Sequence, residues 1–334
     1  MKLNKLFAVG MAAMMTMSMA ACGAATVDGQ KSTTQAAAET TAAAASEAAS
    51  EASKESGAAV SGSIGLSVST LNNPFFVTLE EGAEAKAKEL GVELVSVDAG
   101  DDSAKQASDI EDLISKKVSV LIVNPVDSDA VAPAVKDAIA AGIKVIAVDR
   151  VVNGVDVDCS IASDNVAGAE SATKFLTELV GKDAKVAELQ GTPGASAAID
   201  RGTGFHNIAD TNLKVVSSQT GNFNRSEGMT VMENMLQADA EIKGVFAAND
   251  EMALGAIEAI GDKDIAVVGF DATDDALKSI QDGKMKATIA QQPDLMGATA
   301  VDTAAKLMNG EAVEKSIPVE VTLVSKDNVS SYIK

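Results

Sequence analysis

Tryptophan is missing from this chain, and tyrosine and histidine each occur once in its 334 residues. With His206 alone, no cluster of imidazole metal ligands can form, and no more than one Ser-His or Cys-His pair is conceivable. His206 follows Arg201 in a pattern of helical period, where a solvent-facing side chain is expected. Cysteine is almost as scarce: Cys22 and Cys159 allow one bridge at most. No phosphate loop of the Gly-x-x-x-x-Gly-Lys-Ser/Thr type is present, and Gly202-Thr-Gly204 lacks the third glycine of a dinucleotide fingerprint and lies in a helical stretch. The acidic run from Asp271 to Asp275 lacks the loop glycine and the closing glutamate of a calcium loop. These absences leave no support for an enzyme, and no catalytic residue, cofactor or metal site is expected. Positive charge is short as well. Lysine and arginine number 27 against 48 aspartates and glutamates, and a net charge of -21 excludes the basic face that a nucleic-acid partner needs. Such acidity fits an exported, highly soluble protein.

Something long and apolar is present only at the start. Met1-Lys-Leu-Asn-Lys is a short basic opening, and 6–21 form an unbroken run of apolar or small residues. This predicts a secretory signal over 1–21, too short for a membrane span. The run ends in Met19-Ala-Ala-Cys22-Gly, which resembles the lipobox of bacterial lipoproteins, although Met19 stands where leucine is usual. The resemblance implies a diacylated Cys22 as first residue of the mature chain; the alternative is an ordinary signal cut beside a chance cysteine. Residues 22–61 are mostly Ala, Ser, Thr, Glu and Gly, with no apolar side chain larger than valine to bury, and read as a disordered tether. Anchor plus tether places a globular domain outside the cytoplasm, on the outer face of the cell membrane, as suits a single-membrane bacterium. Cys159 is left as a small buried apolar side chain.

From residue 62 onward short β-branched runs alternate with segments of helical period. Strands are expected near 64–69, 92–97, 119–123, 144–148, 185–189, 214–217, 244–248, 265–269, 286–290 and 318–324, with helices such as 78–90, 104–115, 130–141, 167–180, 225–237 and 252–260 between them. Alternation of this kind gives an α/β protein with parallel sheets covered on both faces. About ten strands with a break near 153–163 point to two doubly wound, Rossmann-like lobes rather than one wide sheet.

Ligands of open parallel sheets bind beyond the carboxyl ends of the strands, and the residues there share one chemistry. The first strand is followed by Ser69, Asn73, Phe75 and Phe76, placing two adjacent phenylalanines on a turn in a protein with only 3% aromatic residues. Later strand ends carry Asp149 and Arg150, Gln190 followed by Arg201, Asn249-Asp250-Glu251, Asp271, and Gln291. The chain has three arginines, Arg150, Arg201 and Arg225, and two of them fall in this set. A guanidinium offers a fixed fork of donors that lysine cannot imitate; a structural ion pair such as Asp149 with Arg150 is the plainer use. Planar amides, carboxylates and guanidiniums beside aromatic rings suit a sugar, which presents apolar C–H faces and hydroxyls that donate and accept. Phe75, Phe76 and Phe223 are available for the faces, with core packing as the competing use.

Eight segments, STLNNPFFV, LIVNPVDSDAV, VDR at 148–150, IASDNVAG, ELQGTPGASAAIDRGTGF, FAANDEMALGA, VVGFD and ATIAQQPD, occur in this order along 62–325. In them the chain resembles the type I periplasmic sugar-binding proteins of bacterial ABC transporters, and among these the D-ribose-binding group. The resemblance implies sugar hydrogen bonds from Asn73, Asp149, Arg150, Arg201, Asn249, Asp271 and Gln291, with Ser69 in support, and ring contacts from Phe75, Phe76 and Phe223. It implies an N-terminal lobe of 62–162 plus 292–321 and a C-terminal lobe of 163–291 plus 322–334, joined by a three-segment hinge. It also implies a protein that binds D-ribose and docks on an ABC permease driven by a separate ATPase. Nothing in the sequence points to an oligomer, so a monomer is expected. Another monosaccharide, such as allose or another pentose, is the alternative ligand. A sugar-responsive transcription regulator is the alternative class, and would need a helix-turn-helix where this chain has a signal and a tether.

Overall fold

The computed structural model describes residues 62–333. The signal, Cys22 and the tether lie outside the described residues. In chain order the first elements are β1 (Ser63–Val68), α1 (Pro74–Leu90), β2 (Glu93–Asp98), α2 (Ser103–Ser115), β3 (Val120–Val123), α3 (Ala132–Ala140), β4 (Lys144–Val148), β5 (Cys159–Ser163) and α4 (Asn165–Val180). They are followed by β6 (Lys185–Gln190), α5 (Ser196–Asn212), β7 (Lys214–Thr220), α6 (Arg225–Ala238), β8 (Gly244–Ala247), α7 (Asp250–Ile260), β9 (Ala266–Val268) and α8 (Asp274–Gln281). The chain closes with β10 (Ala287–Ala290), α9 (Pro293–Met308), β11 (Ser316–Val319) and β12 (Thr322–Ser325).

The strands form two sheets of six. One has the order β11-β5-β4-β3-β1-β2 and is parallel throughout; the other has the order β12-β10-β9-β8-β6-β7, with β12 alone antiparallel. Central strands such as β3 and β8 are buried at every position, as parallel strands covered on both faces must be. The chain passes between the sheets three times: after β5, where α4 packs on the second sheet; after β10, where α9 returns to pack on α1; and between β11 and β12.

Two expectations about strands need correction. The strand at 159–163 falls where a break was expected, because Cys-Ser-Ile-Ala-Ser is short and mostly small; pairing with β4 and β11 on either side makes it a strand. The single late strand expected at 318–324 is two strands in different sheets, since its continuous β-like pattern runs across a crossing. Pro318 is tolerated because β11 is an edge. Cys159 is fully buried in β5 and free, as an apolar filler.

The first helix begins earlier than its apolar period suggests. Asn73 is its N-cap, accepting from the Phe75 N–H (3.0 Å), and Pro74 occupies the first helical position. Phe75 and Phe76 therefore sit in the first turn of α1, not on an open turn. Helices α1 and α9 approach closely through reciprocal glycines. A Cβ on Gly82 would collide with the backbone of Asp294, and one on Gly297 with Leu79 O.

The one histidine does not simply face solvent. Its Nδ1 lies 2.8 Å from Asp210 Oδ1 one turn further along α5, and its Nε2 lies 3.3 Å from Oε2 of Glu188, a β6 residue only 1% exposed. Burial alone would lower the His206 pKa, but the carboxylates of Asp210 and Glu188 outweigh it and hold it above 6.5.

Two outcomes follow. Gly297→Ala should lower stability in urea unfolding by about 1–3 kcal/mol through overpacking, even though alanine favours a helix by ~1 kcal/mol; an equally stable variant would mean that α1 and α9 separate at no cost. A histidine whose folded pKa is raised contributes stability that is complete below the unfolded value and is lost as pH rises through the folded one. Wild type should therefore exceed His206→Gln most below pH 6.5, by less than about 1 kcal/mol because the ring is partly exposed and screened, with the gap closing as the solution turns alkaline. A gap that widens with rising pH would contradict the pairing.

Candidate functional site

Between the carboxyl ends of the two sheets lies a small cavity lined by Asn73, Phe75, Phe76, Asp149, Arg150, Ala197, Arg201, Phe223, Asn249 and Asp271. Nine of these ten lining residues were marked out by the sequence; Ala197, on the first turn of α5, was not. Ser69 and Gln291 do not line it. Ser69 is fully buried, with its N–H donating to Asn124 Oδ1 (3.1 Å), and Gln291 uses both ends of its amide elsewhere.

The first lobe contributes aromatic rings and one ion pair. Phe75 and Phe76 meet edge to face with centroids 5.2 Å apart, and both are also part of the core beneath α1, so packing and cavity lining are shared by the same rings. Since Asn73 spends its oxygen on the cap, its amide N–H₂ is the group left for a ligand. Asp149 leaves β4 with φ of 64°, and the Arg150 N–H donates to Val148 O (2.7 Å), a tight three-residue turn that few residues tolerate. Arg150 Nε lies 3.6 Å from Asp149 Oδ2, while its Nη1 donates to Pro125 O (2.7 Å). The guanidinium lies over Phe76 and Phe223, 5.1 and 5.5 Å from their centroids.

The second lobe mirrors this plan. Arg201 donates from Nε to Asn165 Oδ1 (2.8 Å) and from Nη1 to Ala248 O (2.8 Å), with Asp271 Oδ1 at 3.5 Å and the Phe270 ring beneath it at 3.9 Å. Asn249 caps α7, accepting from the Met252 N–H, and donates to Phe223 O (3.1 Å). Gln291 donates to Asp271 Oδ1 (2.7 Å) and accepts from Ser163 Oγ (2.8 Å), so it orients Asp271 and ties the second lobe to the end of β5. Phe223 and Asp271 have φ of 58° and 126°. Strained backbone thus collects at the strand ends that frame the cavity. Arg225, the third arginine, stands apart and pairs with Glu251 and Asp275.

Sequence reasoning missed Asn124, Asn165 and Ser163, which position Asp149, Arg201 and Gln291. Asn124 donates to Asp149 Oδ2 (3.2 Å) from the end of β3, and was visible as a polar residue at a strand end. Ser163 and Asn165 escaped because β5 itself did.

Burial raises the pKa of Asp149, opposed by Arg150, Arg201 and the Asn124 bond. Burial likewise pushes Asp271 up to about 7 against the pull of Arg201 and Gln291. Arg150 is lowered by burial and partly restored by Asp149. Asp149 Oδ1 and Arg150 Nε, both buried, make no hydrogen bond within the protein. A site of this kind suits a compact molecule that can both donate and accept. Among the described residues no group of three or more His, Cys, Asp or Glu side chains could hold a metal ion, and no helix is long and apolar enough to cross a membrane.

The periplasmic binding protein domain model matches residues 64–312. The ribose import binding protein RbsB of Bacillus subtilis (strain 168) is 53% identical over 263 residues, covering 78% of this chain and 86% of that protein. Its namesake from Escherichia coli (strain K12) is 46% identical over 273 residues, covering 80% and 92%. Among solved structures, an ABC transporter periplasmic solute binding protein from Actinobacillus succinogenes 130z with bound D-allose superposes with a TM-score of 0.75 at 32% identity, covering 81% of this chain and all of that one. One from Bacillus halodurans C-125 with bound myo-inositol reaches 0.78 at 34% identity, covering 83% and 98%. The chain belongs to the periplasmic binding protein family and has its type I fold of two α/β lobes.

Proposed function

We propose that this chain captures D-ribose between its lobes, outside the cytoplasm, and delivers it as a monomer to an ABC import permease driven by a separate ATPase. The observation that carries the reading is the interlobe cavity itself, where aromatic rings alternate with charged and amide groups and two buried atoms, Asp149 Oδ1 and Arg150 Nε, make no hydrogen bond within the protein. Sugar hydroxyls can serve both, since each donates and accepts. Phe75, Phe76 and Phe223 cover its faces; Asn73, Asp149, Arg150, Arg201, Asn249 and Asp271 bond its hydroxyls; Gln291 holds Asp271 and Ser69 supports the first lobe. The names of relatives at 53% and 46% identity favour ribose. D-allose is the second reading, because a solved neighbour at 32% identity holds that sugar.

The lobes in this reading are 62–162 with 292–321 and 163–291 with 322–334, and each supplies part of the ligand's contacts. A ligand that touches both binds the closed arrangement far better than the open one, which is what drives closure. Lipidation at Cys22 would keep the domain at the membrane surface beside its permease.

Titration calorimetry against ribose, allose, xylose, galactose and glucose should give a micromolar or tighter Kd for ribose, about -8 kcal/mol or better; heat from another sugar and none from ribose would sink the assignment. Arg201→Ala should weaken that binding by about 2–4 kcal/mol, because it strands buried partners, and unchanged affinity would remove Arg201 from the site. Mass spectrometry of the membrane fraction should find a diacylated Cys22; an unmodified chain released to the medium contradicts the anchor.

A further inference from the structure

We propose that two serines outside the sugar cavity, Ser128 of the first lobe and Ser196 of the second, form a hydrogen-bonded latch that holds the cleft shut and sets how long a captured ligand stays. The proposal deepens the interlobe-capture reading and rests on it.

Three hydrogen bonds cross between the lobes at one place. The Ser128 N–H donates to Gly194 O (3.0 Å), the Ser196 N–H to Ser128 Oγ (3.2 Å), and the Val151 N–H to Ser196 Oγ (3.0 Å). Ser128 and Val151 lie in the loops leaving β3 and β4; Gly194 lies in the loop leaving β6, and Ser196 opens α5. Ser128 is fully buried and Ser196 nearly so, yet neither lines the cavity.

Each half is shaped for the contact. Asp127 Oδ1 accepts from the N–H groups of Asp129 and Ala130, both at 2.8 Å, a local turn that fixes the residue between them. The Asn153 N–H donates to Ser128 O (2.8 Å), bracing that turn against the loop after β4. On the opposing side Gly194 has φ of 85°, and a Cβ there would collide with the Asp127 carboxylate. The end of α5 is also unusual. Its N-cap is Ala195, which offers no side-chain acceptor, so an orphan N–H of the first turn is satisfied by a serine of the other lobe. That helix carries Arg201, and the loop held by Ser196 Oγ begins directly after Arg150.

None of these bonds involves a ligand atom, and in an open cleft all three N–H groups would bond water instead. Each bond therefore contributes only its net worth, about two- to tenfold in the ratio of closed to open protein. That factor multiplies ligand affinity and divides the rate of escape, because release requires opening. Ser128 and Ser196 are thus positioning residues that act on the ligand through the cleft.

The test uses Ser196→Ala and Ser128→Ala with the sugar that wild type binds in the calorimetric panel. Stopped-flow dissociation should quicken about fivefold in each, Kd should rise in step, and the association rate should stay within about twofold. The melting temperature of the ligand-free variants should match wild type. Unchanged dissociation in both variants overturns the latch, as does a loss of ligand-free stability with dissociation unaltered. If wild type binds no sugar of the panel, the ribose reading fails and the latch is judged separately by amide hydrogen exchange in ligand-free protein. Ser128→Ala should then speed exchange at the Val151 N–H, whose hydrogen bond goes to Ser196 and not to Ser128; equal exchange overturns it.

Discussion

Four charges taken out of water together govern this molecule. Asp149, Arg150, Arg201 and Asp271 are each no more than 6% exposed, and a lone buried charge would be prohibitively costly. Each lobe solves the problem within itself, with one guanidinium facing one carboxylate at about hydrogen-bonding reach or slightly beyond, 3.6 Å in the first lobe and 3.5 Å in the second. Because each of these guanidiniums has its carboxylate within its own lobe, the lobes can part without separating either pair. Neither pair is a tight fork, so directional donors and acceptors survive for a third party. The backbone carbonyls of Pro125 and Ala248 and the amide of Asn165 take some of the other guanidinium donors and hold the forks still.

Rigid placement has a conformational cost, and that cost sits where the cavity is. Asp149, Phe223 and Asp271 all have positive φ, at the ends of or just beyond strands of both sheets. Aspartate tolerates such a backbone better than most residues, whereas phenylalanine does not. Phe223 is kept there by its own carbonyl, which accepts from Asn249, and by Gly191, whose missing side chain leaves room for the ring. The strand ends thus aim side chains into the cleft that a relaxed turn would send elsewhere.

Much of this was legible because chemistry clustered at predictable places. Alternating strand and helix patterns announced two parallel-sheet lobes, and the rule that ligands sit beyond strand ends gathered most of the cavity wall without any contact being known. What escaped had a common cause. The run from Cys159 to Ser163 carries little strand signal of its own and becomes a strand through its neighbours. With it went Ser163 and Asn165. Gln291 was recognised as relevant but assigned to the cavity, because sequence shows which end of a strand a residue occupies and not which partner its amide prefers. Phe75 and Phe76 were noticed as oddities of a turn; the Asn-Pro pair before them, a helix start in its own right, explains why they are helical.

The last two strands give the chain an unusual finish. Strands β11 and β12 are separated by two residues and complete different sheets, each covering an edge strand, β5 in one case and β10 in the other. A chain still being made, or one cut short before Ser316, leaves both edges open to pairing with other molecules. One short segment, 316–325, thus supplies the closing strand of both sheets, and a break within it would expose an edge in each lobe.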